Sequence, residues 1–267
     1  ILNSTGRTNN FNNNEASSAG LLVQSNGAIT ANSIYANNTT GASGNRRGVE
    51  IDNNDSPSSA GVTIKLGGFD GNVGGGLYVF SKGVIAVTMT DCSANNNSGS
   101  DAHGIYLDNT DATTAKTVTL DGGSYNNNNS YGIRILSNGA ILVKNVEANG
   151  STSSTGARLN NTTGTNAGVT VTVTRTGWTN TFNGNAGYGL YILSHGTILV
   201  NRTNAEENNN TGAYLLNTYS GVTSGVTVTS SNFHGNSLTT DNGYGLLIYS
   251  YGSVSLNGVQ ASSNGDG

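Results

Sequence analysis

The sequence predicts an all-β fold, a single parallel β-solenoid. Three observations predict it: a motif recurring at fixed spacing, short runs of alternating apolar residues, and no helical periodicity anywhere in the chain. Gly20-Leu-Leu-Val-Gln-Ser-Asn-Gly27-Ala-Ile29 returns as Gly76-Leu-Tyr-Val-Phe-Ser-Lys-Gly83-Val-Ile85 and again from Gly132, Gly189 and Gly245, with starts 56, 56, 57 and 56 positions apart. A related unit opens between them at Gly48, Gly104, Gly156 and Gly212, as in Gly104-Ile-Tyr-Leu-Asp-Asn. The coil is therefore about 28 residues long and comes in two alternating types, which makes the full super-repeat 56 residues.

Each coil carries two strands. Leu77/Val79 then Ile85/Val87 in one type, and Ile105/Leu107 then Val118/Leu120 in the other, alternate with polar residues, the pattern of a strand with one buried face. Ser-x-Gly corners and Asn-rich loops separate strands too closely spaced for βαβ units, so the coils must stack. A third corner follows, an aromatic residue or Ala with Asn three residues on. Phe11/Asn14, Phe69/Asn72, Tyr125/Asn128, Phe182/Asn185 and Phe233/Asn236 alternate with Ala94/Asn97, Ala205/Asn208 and Ala261/Asn264. Stacked at about 4.8 Å per coil, a ring next to a methyl fills an interior line without voids. One continuous domain over 1–267 is expected, with a partial coil over 1–19 and coils starting near 20, 48, 76, 104, 132, 156, 189, 212 and 245. Differences in coil length fall in loops, where a solenoid tolerates them.

The alignment also stacks Asn53, Asn109, Asn161 and Asn217 at one position and Ser25, Ser81, Ser137, Ser194 and Ser250 at another. Polar side chains repeated in register are expected to hydrogen-bond to their copies above and below, as amide ladders do. A single Pro suits an uninterrupted backbone ladder, and a charged fraction of 10% suits a stack in which a repeated charge would meet itself.

These units, Gly-Leu/Ile-x-Val/Ile-x-Ser-x-Gly with Asn-rich corners, resemble the right-handed parallel β-helices of the pectate-lyase-like superfamily. In particular they resemble the repeat regions of large secreted bacterial surface and fibre proteins. The resemblance runs from about Phe11 to Asn264 and implies a right-handed coil and an extracellular, secreted or cell-surface setting. That superfamily holds polysaccharide lyases and hydrolases, tailspikes, adhesins and structural fibres, so the resemblance implies architecture and leaves activity open.

Composition narrows the functional classes. With 11 Lys+Arg against 15 Asp+Glu there is no basic field for nucleic acid. No apolar run reaches the length of a membrane span, so no membrane insertion is expected, and one Cys excludes a disulfide framework within the chain. The chain lacks an initial Met and enters and leaves partway through a coil, which reads as a piece of a longer chain or as copies stacking end to end.

Catalytic constellations are weak. Asn109-Thr110-Asp111 resembles the opening motif of polygalacturonase-like hydrolases, yet Asn53-Asn54-Asp55, Asn161-Thr162-Thr163 and Asn217-Thr218-Tyr219 at the same position show a ladder residue with drifting neighbours. Asp52 and Asp108 align two coils apart, roughly 9.6 Å, near the upper separation of an inverting pair; beside a strand they read as a solvated face. His103, His195 and His234 occupy three different repeat positions and read as exposed corner residues, and Cys92 reads as a semi-buried free thiol. No catalytic residue, metal or cofactor is expected, and the chain is read as a non-enzyme.

The first strand departs from a bland surface. Two residues after each opening Gly stand Leu22, Glu50, Tyr78, Tyr106, Arg134, Arg158, Tyr191, Tyr214 and Leu247. The next outward column is Gln24, Asp52, Phe80, Asp108, Leu136, Asn160, Leu193, Leu216 and Tyr249. Tyr, Arg and Leu where the rest of the chain shows Ser, Thr and Asn mark a contact face. Its candidate residues are Tyr78, Phe80, Tyr106, Arg134, Leu136, Arg158, Tyr191, Leu193, Tyr214, Leu216, Leu247 and Tyr249, with cation–π contacts expected from Arg134 to Tyr106 and from Arg158 to Tyr191. The function this implies is a structural, self-associating segment of a bacterial surface fibre or adhesin, whose partners are other copies of itself, neighbouring repeats of a longer chain, or glycans. Two alternatives stand beside it. One is a carbohydrate-binding or carbohydrate-cleaving β-helix. The other is an ice-binding face on outward Thr119, Thr170 and Thr227, interrupted at alternate coils by Ala86, Leu142 and Leu199.

Overall fold

The computed structural model describes residues 8–15, 18–41, 46–55, 59–164, 167–219, 221, 223–237 and 243–265. The first residues of the expected partial coil, 1–7, lie outside them. Among the described residues the regular structure is all strand, every strand pairing is parallel, and the strands form two sheets of nine and twelve members. Among the described residues no helix is long and apolar enough to cross a membrane. The strand that opens each coil joins the nine-stranded sheet, from Leu21–Gln24 through Val49–Asp52 and Leu77–Phe80 to Leu246–Ser250. The second strand joins the other sheet, from Ile29–Tyr35 to Val254–Ser262. The chain thus passes from one sheet to the other, and each opening strand pairs with its counterpart one turn on, the wiring of a β-solenoid. Register partners lie 28 positions apart from Leu21 to Ile133, then 24, 33, 23 and 33 apart to Leu246, the variation being absorbed in the loops between strands.

Alternation decides which face is buried. Val49 and Ile51, Leu77 and Val79, and Ile105 and Leu107 are fully enclosed, as are Ile85, Val87, Val118 and Leu120 on the facing sheet. The third corner closes the core with a column in which Phe69, Tyr125, Phe182 and Phe233 alternate with Ala94, Ala148 and Ala205, all buried. Two of these rings need a gap in the coil wall. A Cβ on Gly67 would stand 2.6 Å from the Phe69 ring tip, and one on Gly123 would stand 2.6 Å from the Tyr125 hydroxyl, which donates to the Gly122 carbonyl at 2.9 Å.

A residue in left-handed conformation turns this corner. Two positions after each ring or methyl stand Asn13, Asn38, Gly71, Asn96, Asn127, Gly150, Gly184, Glu207, Gly235 and Ser263, with φ between 55° and 67°. Asn and Gly dominate because they tolerate that backbone best. The bend turns the following residue inward, and there an amide column forms. Asn97 Nδ2 donates to Asn128 Oδ1 at 2.8 Å, Asn185 to Asn208 at 2.9 Å, and Asn208 to Asn236 and Asn236 to Asn264 at 3.0 Å each. This column also explains several opening glycines: a Cβ on Gly104, Gly156, Gly189, Gly212 or Gly245 would stand 2.6 Å from one of these amide nitrogens.

The ladders expected at Asn53, Asn109, Asn161 and Asn217 and at Ser25, Ser81, Ser137, Ser194 and Ser250 take another form. These residues make one column in which Ser and Asn alternate, and they bond to backbone instead of to one another. Asn109 Nδ2 donates to the Lys116 carbonyl at 2.8 Å and the Gly83 carbonyl at 3.2 Å, and Asn53, Asn161 and Asn217 donate likewise to Ala60, Ala167 and Ser224. Each Ser accepts from the Gly two residues on, as Ser81 does from Gly83 N at 3.0 Å, clasping the first corner. Alternating types place a Ser next to each Asn, so neither finds its own copy one coil away. On the outside of the twelve-stranded sheet the register sets Ala86, Leu142 and Leu199 between Thr119, Thr170 and Thr227.

Candidate functional site

The strands Leu77–Phe80, Ile105–Asp108, Ile133–Leu136, Ala157–Asn160, Leu190–Leu193, Ala213–Asn217 and Leu246–Ser250 carry both outward columns side by side in unbroken register. Tyr78, Tyr106, Arg134, Arg158, Tyr191, Tyr214 and Leu247 are successive neighbours, and so are Phe80, Asp108, Leu136, Asn160, Leu193, Leu216 and Tyr249. The two expected cation–π contacts are present, Arg134 lying 4.9 Å from the Tyr106 ring centre and Arg158 5.8 Å from that of Tyr191.

Two of these residues are covered where exposure was expected. Tyr78 is only 3% exposed: Arg47 sits 3.9 Å over its ring, His103 stacks at 5.7 Å, and its hydroxyl donates to the Asp101 carbonyl at 2.5 Å. The ring lies flat across Gly75, where a Cβ would come within 2.7 Å of it. Burial raises the Tyr78 pKa. Leu193 is 8% exposed. Phe80, Leu136, Leu216 and Leu247 are half-buried, and Tyr249 is open to solvent.

The face divides into two aromatic groups. In the first, Tyr106 meets Tyr78, Phe80 and His103 edge-on at 5.5 to 5.6 Å, and Tyr131 packs on His103 at 5.3 Å. Tyr106 donates to Asp108 at 2.8 Å; burial, then the Asp108 charge and this bond, push its pKa well above the ordinary range. His103 is buried, in contrast to the exposed corner position expected for it, because the loop carrying it folds over the sheet. Burial first, then Arg134 and Arg47, hold its pKa down to about 3, so it is neutral. Arg134 Nη1 lies 3.4 Å from His103 Nε2, to which it donates in the neutral tautomer that carries its proton on Nδ1. In the second group Tyr188, Tyr191 and Tyr214 pack at 5.2 to 5.7 Å and Tyr249 follows at 5.9 Å from Tyr214. Tyr188, Asn210, Thr211, Tyr244, Leu247 and Tyr249 line a cleft of about 310 Å³ beside it.

Sequence reasoning did not place Arg47, His103, Tyr131, Tyr188 and Tyr244 on this face. All five stand immediately before an opening Gly, so one further column, read at that position, was available in the repeat.

The remaining candidates are local supports. Asp52 accepts from Asn54 N at 2.9 Å, and Asp108 from Thr110 N and Oγ1 at 2.9 and 2.7 Å, so both cap the turn that follows their strand. His195 Nδ1 lies 2.6 Å from the Gly164 carbonyl, and His234 Nδ1 2.8 Å from Ser262 Oγ. Cys92 is half-buried, its thiol donating to the Thr90 carbonyl at 3.3 Å and its pKa raised by burial. Among the described residues no group of three or more His, Cys, Asp or Glu side chains is placed to hold a metal ion.

What this geometry defines is a class: a parallel β-solenoid-like repeat protein with a continuous aromatic and aliphatic outer face. No family model, curated protein or solved structure matches the chain.

Proposed function

We propose that the chain is a structural, self-associating segment of an extracellular fibre or adhesin, built as a single right-handed parallel β-helix of about 28 residues per coil, and that it associates through the outer face of the nine-stranded sheet. The observation that carries this reading is the unbroken pair of columns Tyr191–Tyr214–Leu247 and Leu193–Leu216–Tyr249. Contiguous apolar surface of this kind marks contact surfaces. A non-catalytic role agrees with acidic residues such as Asp52 and Asp108 being engaged as turn caps.

The test is Leu216→Lys with Tyr249→Lys, two positions that are not fully buried and so accept Lys without disturbing the core. Sedimentation and light scattering are expected to show the parent associating and the variant dispersed with its circular dichroism unchanged. Equal assembly of the two would overturn the reading. The cleft between Tyr188 and Tyr249 favours a second reading, a sugar ring stacked on tyrosine with Asn210 and Thr211 on its hydroxyls. Glycan-array binding by the parent, abolished by Tyr249→Ala, is the result that reading requires.

A further inference from the structure

The third corner differs in length from coil to coil. Between the second strand and the residue before the ring or methyl stand two residues in the coils opening at Gly104 and Gly132, 122–123 and 145–146. The coil before them has four there, 89–92, and the coil after them eight, 173–180. Two short coils thus lie between two longer ones, and the notch is a cleft of about 280 Å³. Asp91 and Cys92 line it from one long coil, Glu147 from a short one, and Arg175 and Trp178 from the other long one.

The long loop is anchored to the coil beneath it. Thr174 N and Arg175 N donate to Asn145 Oδ1 at 2.9 and 3.1 Å, and the buried Asn145 returns its Nδ2 to Thr174 Oγ1 at 2.9 Å. Trp178 N donates to the Arg175 carbonyl at 3.3 Å, a turn that sets the Arg175 guanidinium 4.5 Å from the Trp178 ring centre. The indole Nε1 is enclosed without an acceptor, so the ring gives the cleft apolar surface and no hydrogen bond.

Most polar groups around the cleft are already engaged. Ser93 Oγ donates to Asp70 at 2.7 Å, and Ser124 Oγ donates to Asn95 at 3.1 Å while accepting from Asn126 at 2.8 Å. Two groups of opposite charge remain. Arg175 meets Asp91 at 3.6 Å, longer than a hydrogen bond, and the Asp91 side chain is 79% exposed, where solvent screens the pair. The Glu147 carboxylate has no ion pair among the described residues. A cation and a carboxylate therefore line one cleft without closing on each other.

We propose that this cleft binds a small zwitterion of amino-acid size, its carboxylate on Arg175, its ammonium on Glu147 and its apolar part against Trp178. The volume suits a small ligand. A planar guanidinium held against an indole is preorganised to take a carboxylate through two parallel bonds. A neutral sugar would need hydroxyl partners, and both serines are spent on the neighbouring polar column. The site shares no residue with the outer face of the nine-stranded sheet, so it is independent of self-association.

Trp178 is the sole tryptophan of the chain, so its fluorescence reports on this cleft alone. Titration with alanine, leucine and phenylalanine is expected to change that emission saturably, with calorimetry following the same titrations. For the amino acid that binds best, the N-acetyl derivative lacks the ammonium and the amide lacks the carboxylate; each is expected to bind about tenfold more weakly, as loss of one charged contact implies. Glu147→Gln is expected to erase the first difference and Arg175→Gln the second, both with parent-like circular dichroism. Absence of saturable binding by both readouts would overturn the proposal, as would an amide that binds as tightly as its parent acid, which would mark a site for ammonium alone. Binding of glucose in place of the amino acids, or variants that leave both differences intact, would overturn it as well.

Discussion

Asn208→Ala tests whether the amide column at the third corner, in addition to the apolar core, holds the coils together. Asn208 is 1% exposed. Its Oδ1 accepts from Asn185 N and Asn185 Nδ2, both at 2.9 Å, and its Nδ2 donates to Asn236 Oδ1 at 3.0 Å. Truncation removes all three bonds, at about 1 kcal/mol each. Asn185 Nδ2 keeps the Ala148 carbonyl at 3.3 Å, but the enclosed Asn185 N–H loses its acceptor. An orphaned buried donor adds about 1 to 3 kcal/mol, for a total of about 4 to 6 kcal/mol. Solenoids open locally, so a melting midpoint alone would dilute the effect. Amide hydrogen exchange at Asn185 reads it directly: protection there is expected to fall by about a thousandfold to ten-thousandfold, following the tenfold per 1.4 kcal/mol conversion. The converse variant is Ser151→Asn. Ser151 is buried, its hydroxyl has no partner, and its N–H donates to Asn185 Oδ1 at 2.9 Å, so an Asn there would offer the same acceptor to the Asn128 N–H one coil earlier. It is expected to stabilise by about 1 kcal/mol. A cost below about 1 kcal/mol for Asn208→Ala, with Asn185 protection intact, would refute the argument, because the column would then be a consequence of stacking and not a cause.

Two further outcomes follow from single residues. Leu66 holds φ at 60° with its side chain 43% exposed, at a corner position where Asn145 and Gly258 stand in other coils. Leu66→Asn is expected to raise stability by about 1 kcal/mol by relieving left-handed strain, and an unchanged or lowered urea midpoint would contradict that. His103 supplies a pH dependence: its folded pKa of about 3 lies below the unfolded value, so the unfolded chain binds the extra proton. Its stabilising effect is complete above about pH 6.5 and falls by up to about 1.4 kcal/mol per unit as pH drops toward 3. His103→Phe is expected to flatten the stability profile across that window by one proton; equal slopes in urea titrations at pH 6, 5 and 4 would show that the imidazole is not buried neutral.

What could be read from the sequence was whatever repeats within one strand or recurs at one coil spacing. Phe69, Ala94, Tyr125 and their successors reveal a ring and methyl column because burial and volume are properties of the residue itself, and the register confirms their alternation. The amide ladder was a different matter. Asn109 and Asn128 look equally ladder-like in the sequence, yet Asn109 spends its amide on the Lys116 and Gly83 carbonyls while Asn128 receives the Asn97 amide. The difference lies in the left-handed residue before Asn128, at Asn127 with φ 56°, which turns the next side chain along the stack. A repeated Asn therefore predicts a ladder only where a left-handed residue precedes it, and the Asn-Asn and Gly-Asn pairs at the third corners carry that signal.

The outer face was legible for the same reason and incomplete for a related one. Columns counted forward from the opening Gly found Tyr106, Arg134, Arg158 and Tyr191, because strand residues keep their direction. Arg47, His103, Tyr131 and Tyr188 stand one residue before that Gly, where the chain is still completing its corner and alternation gives no direction. Their effect is large: Arg47 and His103 enclose Tyr78, and the neutral His103 offers Arg134 its Nε2. The stack tolerates two adjacent arginines because tyrosines and this neutral imidazole surround them without adding a third positive charge. That support softens the repulsion between Arg134 and Arg158 without supplying a countercharge.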